Sequence, residues 1–243
     1  MDRMGGSEIG RRIRWWGLGA GLGALLVLMA LLMANGVDTA VTDDDRVVIA
    51  GLEVDEQCRD IDGFDAELKC VAAVQNSVFE RFPSTKDAFQ KGITGHRARD
   101  YAERGYGSCY DRATLIEQAL RHYDFEVRRV ALYERQDRPW NYLKPGIRSH
   151  ALSEVTTSRG DMVIESVEPM IGVDEDHDVY AIADVREGLH GGEIDDQTFG
   201  VDVPENFFDG DFVYAYGVYS RHGYFFEPHI PVPEVDWRQF RLW

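Results

Sequence analysis

The chain has 243 residues, is 44% hydrophobic and 12% aromatic, and carries a formal net charge of −17 at neutral pH. That composition builds a real apolar core, in one ordinary to large domain or two small ones, and excludes a disordered chain. The acidity argues against nucleic acid as a partner, because phosphate contacts need clustered Lys and Arg, and against the body lying flat on anionic lipid.

In residues 1–14, Arg3, Arg11, Arg12 and Arg14 outnumber Asp2 and Glu8. The next stretch, from Trp15-Trp16 to Ala34, carries no charge and no strongly polar side chain, and a run of about twenty apolar residues matches the bilayer core. Residues 15–37 are therefore predicted as a transmembrane signal-anchor helix. The positive-inside rule leaves residues 1–14 cytoplasmic and sends the body outside. A cleaved signal peptide with a weak site near Ala40 is the competing reading; the length of the apolar run favours the anchor.

Residues 38–60 read as a linker and lead-in, polar through 46, with a brief strand predicted over 47–54. The remaining domain covers 61–243. Leu68, Val71, Val74 and Val78 recur at helical spacing and predict a helix over 66–82 that ends before Pro83. Residues 84–95 read as a turn and short helix, and 97–103 as a second short helix.

The stretch Gly107-Ser108-Cys109-Tyr110-Asp111-Arg112-Ala113 follows. Ala113, Ile116, Ala119 or Leu120, and Tyr123 continue at three- and four-residue spacing, so a helix begins at or just after Cys109, and Gly107 permits a tight turn before it. At a helix N-terminus the unpaired N–H groups and the positive dipole end favour a thiolate. By itself Cys109 reads better as a small buried hydrophobe, and it is His150 and Glu165 downstream that favour the nucleophile.

Residues 125–133 are rich in β-formers, and 135–148 form a polar, proline-bearing loop. Residues 150–156 predict a strand, 157–161 a turn and 162–167 the returning strand of a hairpin. That hairpin sets His150 opposite residues 165–167, and strand neighbours lie about 5 Å apart, so the Glu165 carboxylate is within reach of the imidazole. Residues 172–197 read as an acidic, glycine-bearing loop. Its Asp174-Glu175-Asp176-His177-Asp178 run has ligands for calcium but not EF-hand spacing, and such a run is more often simply solvated. Residues 212–219 and 224–226 read as a C-terminal aromatic hairpin (212–226). Pro228, Pro231 and Pro233 then end regular structure before the 237–243 tail.

The three cysteines are Cys58, Cys70 and Cys109. In an exported body, a Cys58–Cys70 disulfide leaves Cys109 as the one reduced thiol; burial of Cys58 and Cys70 as thiols is the alternative. A zinc site from the three lacks short ligand spacing, and no metal or cofactor is assigned.

A cysteine, a histidine to take its proton and a carboxylate to orient the histidine are the parts of acyl-transfer catalysis. Gly107-x-Cys109-x-Asp111-x-Ala113 opening a helix, His150-Ala151-Leu152 opening a strand, and Glu165 on the next strand resemble the transglutaminase-like superfamily. The segment Arg159-Gly160-Asp161-Met162-Val163-Ile164-Glu165 is most similar to the bacterial transglutaminase-like cysteine proteinases. The core motifs span 101–168. The resemblance implies an α+β, papain-like core in which the Cys-bearing helix packs on an antiparallel sheet bearing His and acid. It also implies a Cys109–His150–Glu165 triad and a periplasmic body on the bacterial inner membrane.

The chain departs from the family pattern in several places. The acid is Glu rather than Asp, and Glu168, before Pro169, is a rival for its role. Leu152 stands where the family has tryptophan. Ser108 and Tyr110 replace the acids that flank the cysteine, which counts against a calcium site there of the kind the proteinase branch has.

The functional expectation is a membrane-anchored periplasmic thiol acyl-transfer enzyme, a cysteine peptidase or amidase acting on a protein or peptide-containing envelope substrate. The alternative is an inert transglutaminase-like binding module in cell-envelope or polysaccharide assembly. A third reading makes the aromatic residues Tyr214, Tyr216, Tyr219, Tyr224, Phe225 and Phe226 a carbohydrate-stacking surface, although aromatic positions in a hairpin more often pack a core.

Overall fold

The computed structural model describes residues 19, 21–30, 33–34, 36–84, 97–143, 147–174, 176–191, 212–219 and 234–242. The chain divides into two units, residues 1–36 and 37–243. In the first, residues 21–30 are helical and exposed. No helix among the described residues is long and apolar enough to cross a membrane, and the span expected over 15–37 falls partly outside those residues.

The second unit is α+β. Its elements are α1 (Asp43–Ala50), α2 (Phe64–Arg81), α3 (Ala98–Arg104), α4 (Cys109–His122), β1 (Val127–Glu134), a 3₁₀ turn (Pro139–Leu143), β2 (Ser149–Thr157), β3 (Gly160–Ile164), α5 (Ile182–Gly191), β4 (Phe212–Tyr216) and β5 (Arg241–Leu242). The five strands form one antiparallel sheet in the order β3-β2-β1-β4-β5.

Side chains alternate along a strand, so the sheet has two faces to cover. Val127, Val155, Met162 and Ile164 pack with Val71, Val74 and Val78 of α2 and Leu115, Ile116 and Leu120 of α4. Val130, Leu132, Leu152, Val163, Tyr214 and Tyr216 pack instead with Ile182 and Val185 of α5. α4 thus lies directly against the sheet, and its first residue meets Ala151 of β2.

Four expectations are corrected. The strand expected over 47–54 is α1. Val47, Val48 and Ile49 are β-branched, but Thr42 caps a helix: Thr42 N donates to Asp45 Oδ2 at 2.9 Å and Asp45 N donates to Thr42 Oγ1 at 3.3 Å. Asp43, Asp44 and Asp45 then complement the positive end of the helix, and this local chemistry outweighs strand propensity.

The lead-in is not a polar linker. Val37 N donates to Val235 O at 3.0 Å, and Thr39 Oγ1 donates to Asp236 Oδ2 at 3.1 Å, so the segment is sewn to the C-terminal region. The acidic loop contains α5, whose Ile182 and Val185 bury an apolar stripe that the surrounding charges obscure. The tail forms β5, which pairs with β4 at Ala215 and Tyr216. The second arm of the aromatic hairpin, 224–226, and nearly all of the short helix expected over 84–95 lie outside the described residues.

Candidate active site

The site begins at the N-terminus of α4. A Cβ on Gly107 would lie 2.8 Å from the Asp111 Cβ, so only glycine lets the chain approach this closely. Asp111 uses that space to accept a 2.6 Å hydrogen bond from Ser108 N at Oδ2, closing a capping box with Ser108 as N-cap. Cys109 is therefore the first helical residue, at the positive end of the helix dipole, where a thiolate is favoured. It is 2% exposed and packs with Tyr110, Ala113 and Ala151.

The histidine and the acid come from the β2–β3 hairpin, whose register runs from Thr157↔Gly160 to Ser153↔Ile164. His150 lies near the start of β2, and Glu165 follows the last residue of β3. His150 Nε2 is 2.7 Å from Glu165 Oε1 and 2.8 Å from Oε2. Glu165 is fully buried, and its Oε1 also accepts hydrogen bonds from Ser166 N at 2.7 Å and Val167 N at 2.8 Å.

Burial opposes a charged imidazole, but the Glu165 charge and hydrogen bonds with Cys109 and Glu165 outweigh it, and the His150 pKa is pushed up to about 10. With Nε2 held by Glu165, the ring nitrogen left to serve Cys109 is Nδ1. The structure thus brings Cys109, His150 and Glu165 together in one chain of hydrogen bonds, with Cys109 and Glu165 buried and His150 half-buried.

The chain matches no protein-family model and has no significant match among curated proteins. What it does chemically must be read from these residues.

Glu168, the rival acid, has an exposed side chain, and both carboxylate oxygens at His150 Nε2 belong to Glu165. Two residues that no motif announces complete the surroundings. Gln75 of α2 donates from Nε2 to Glu165 O and Met170 O, both at 2.8 Å. Arg112 of α4 donates from Nε to Phe82 O at 2.7 Å and from Nη1 to Ser166 O and Val167 O at 3.3 and 3.2 Å. Their targets are backbone carbonyls distant in sequence, and no residue spacing encodes such contacts.

Cys58 and Cys70 form a disulfide that ties the turn after α1 to α2, and Cys109 is left as a thiol. In the acidic run, Asp174 Oδ1 accepts from Asp176 N at 3.0 Å and Asp178 N at 2.9 Å, while Tyr180 Oη donates to Oδ2 at 2.7 Å. The Tyr180 bond is foremost in holding the Asp174 carboxyl below its usual range, so this aspartate organises a turn. Among the described residues no three His, Cys, Asp or Glu side chains are grouped to hold a metal ion, and Glu175 lies outside those residues.

Tyr214, Tyr216 and Tyr219 are each at most 7% exposed, so they pack the interior and present no stacking surface; Tyr224, Phe225 and Phe226 lie outside the described residues. A cleft of about 700 Å³ opens at the far end of α4, lined in part by Arg121, Arg128, Arg238 and Arg241. Arg121, Arg128 and Arg238 are each committed to carboxylates: Glu117, then Glu154 with Asp161, then Asp236.

Proposed function

We propose that this protein is a thiol acyl-transfer enzyme with a papain-like, transglutaminase-like core, held at the bacterial inner membrane by residues 15–37 with its body in the periplasm. The observation that carries the reading is the His150–Glu165 contact, with the second imidazole nitrogen serving Cys109 at the start of α4. Cys109 is the nucleophile, His150 the base and then the acid, and Glu165 the residue that orients the ring and sustains its charge.

In the resting site the thiol proton resides on His150. Cys109 Sγ attacks an amide carbonyl, and the developing oxyanion lies near the backbone N–H at the start of α4. The C–N bond breaks as His150 gives its proton to the leaving nitrogen, which leaves a thioester on Cys109. His150 then takes a proton from water, the hydroxide displaces Sγ from the acyl carbon, and the acid is released. An amine in place of water gives transfer by the same steps. A peptide or peptide-containing envelope component is the substrate class.

Alkylation of Cys109 by iodoacetamide, followed against pH in the full-length chain in detergent micelles, tests this reading. The expected result is fast alkylation that persists well below pH 8.5 and falls by roughly 10²–10⁴ in His150→Ala. A slow reaction that tracks an ordinary thiol near pH 8.5, unchanged by His150→Ala, would sink it. A second reading, an inert binding module, draws support from the 2% exposure of Cys109, and that negative result would promote it.

A further inference from the structure

We infer that Arg112 is a positioning residue of this site: its guanidinium clamps the turn that carries Glu165 and sets a fixed positive charge beside Cys109 and Glu165. The inference rests on the acyl-transfer reading above.

The turn after β3 is built inside out. The N–H groups of Ser166 and Val167 point inward to the Glu165 carboxylate, so the carbonyls of the turn must find donors elsewhere. Water cannot supply them all, because Glu165 and Ser166 are fully buried. The donors come from two helices. Gln75 serves Glu165 O and Met170 O, and Arg112 serves Ser166 O and Val167 O while its Nε holds Phe82 O beyond the end of α2. The Arg112 side chain also lies over the Phe79 ring, with Cζ 4.5 Å from the centroid.

A neutral amide is sufficient at Glu165 O and Met170 O. A guanidinium at Ser166 O and Val167 O costs desolvation that those neutral carbonyls do not require. Its charge has other partners. Burial draws the Arg112 pKa down, and the charges of Glu168, Cys109 and Glu165 oppose that. Arg112 is also three residues beyond Cys109 on one helix, which makes the two neighbours on its surface.

Cys109 thus meets His150 from β2 and Arg112 from its own helix, and Arg112 in turn meets Glu165 and the exposed Glu168 of the turn. Asp111 is turned to Ser108 N, with Arg104 Nη2 3.7 Å from its other oxygen. Glu168 is exposed and screened by water, so within the buried site a thiolate and Glu165 are balanced by an imidazolium and a guanidinium. Without Arg112, two anions share one imidazolium and the thiolate is disfavoured.

The test measures iodoacetamide alkylation of Cys109 against pH in the full-length chain, disulfide intact, for the unaltered protein, Arg112→Gln, Arg112→Lys and Gln75→Leu. The expected result is an upward move of the midpoint by about one unit in Arg112→Gln, seen as roughly tenfold slower alkylation at low pH. Arg112→Lys should keep the midpoint. Gln75→Leu, which removes a neutral clamp, should lower the melting temperature and leave the midpoint in place.

An unmoved midpoint in Arg112→Gln, or an equal shift in Arg112→Lys, would overturn the inference and leave Arg112 a purely structural residue. Should Arg112→Gln fail to fold, Arg112→Met, an apolar chain of similar reach, is read the same way. Failure of the underlying reading is distinguishable, because the unaltered protein would then itself titrate near pH 8.5.

Discussion

Glu117 Oε2 lies 3.3 Å from Arg129 Nη2, with 1% and 0% of the two side chains exposed. The same carboxylate meets Arg121 Nη2 at 2.5 Å and accepts from the Tyr219 hydroxyl, while Arg129 Nη2 also donates to Thr114 Oγ1 at 2.6 Å. This network pins the middle of α4, and therefore its Cys109 end, against β1. Removing one partner leaves an uncompensated charge in the interior. Glu117→Ala should lose about 3–5 kcal/mol and lower Tm by roughly 10 °C, read by thermal circular dichroism. The double change Glu117→Leu with Arg129→Met should recover much of that loss, because an apolar pair of similar volume no longer strands a charge.

Elements whose own residues decide their conformation are legible in the sequence. The three- and four-residue spacing after Cys109 marks α4, and the Ser158-Arg159 turn sets the hairpin that carries His150 toward Glu165. α1 escapes a reading by propensity, because Val47, Val48 and Ile49 look like a strand while the signal that wins is the reciprocal capping of Thr42 and Asp45. α5 is hidden by acids that surround Ile182 and Val185, its buried apolar positions among the described side chains. Arg112 and Gln75 have no sequence signature at all. Arg112 reaches carbonyls 54 and 55 residues away, and Gln75 reaches carbonyls 90 and 95 residues away. A backbone carbonyl is the same group at every position, so the need for a donor arises only once the turn after β3 buries it.

The Cys58–Cys70 disulfide closes a short loop between the turn after α1 and the first half of α2, with a sequence separation of 12. Both cysteines are buried, Cys70 completely, among Val71, Val74 and Leu52 in the same core that backs α4. A loop of this length stabilises by about 3 kcal/mol in the chain-entropy account. Cys58→Ser with Cys70→Ser should therefore lower Tm by roughly 6–12 °C, and the unaltered chain should fall to a similar Tm when melted under reducing conditions. A thiol count under denaturing, non-reducing conditions should find one reactive cysteine, rising to all three after reduction. Equal melting temperatures with and without reductant would show that the bridge contributes nothing to stability.

The raised His150 pKa makes stability depend on pH with a definite sign. Unfolded, the imidazole titrates near 6.5; folded, beside Glu165 and Cys109, it holds its proton to about 10. The folded state therefore binds more protons than the unfolded state between those values, and unfolding free energy falls as pH rises through that window. The contribution is fully present below about pH 6.5 and is lost as pH passes 10. Cys109 titrates in the unfolded chain within the same range, so Cys109→Ala is the background that isolates the histidine. In that background, chemical denaturation should show stability declining from neutral pH upward. Glu165→Gln, which keeps the shape of the side chain and removes its charge, should flatten the decline, because the largest force holding the proton on His150 is gone. A decline of equal slope in Glu165→Gln would mean that the Glu165 carboxylate does not sustain the imidazolium, and the role given to it in catalysis would go with it.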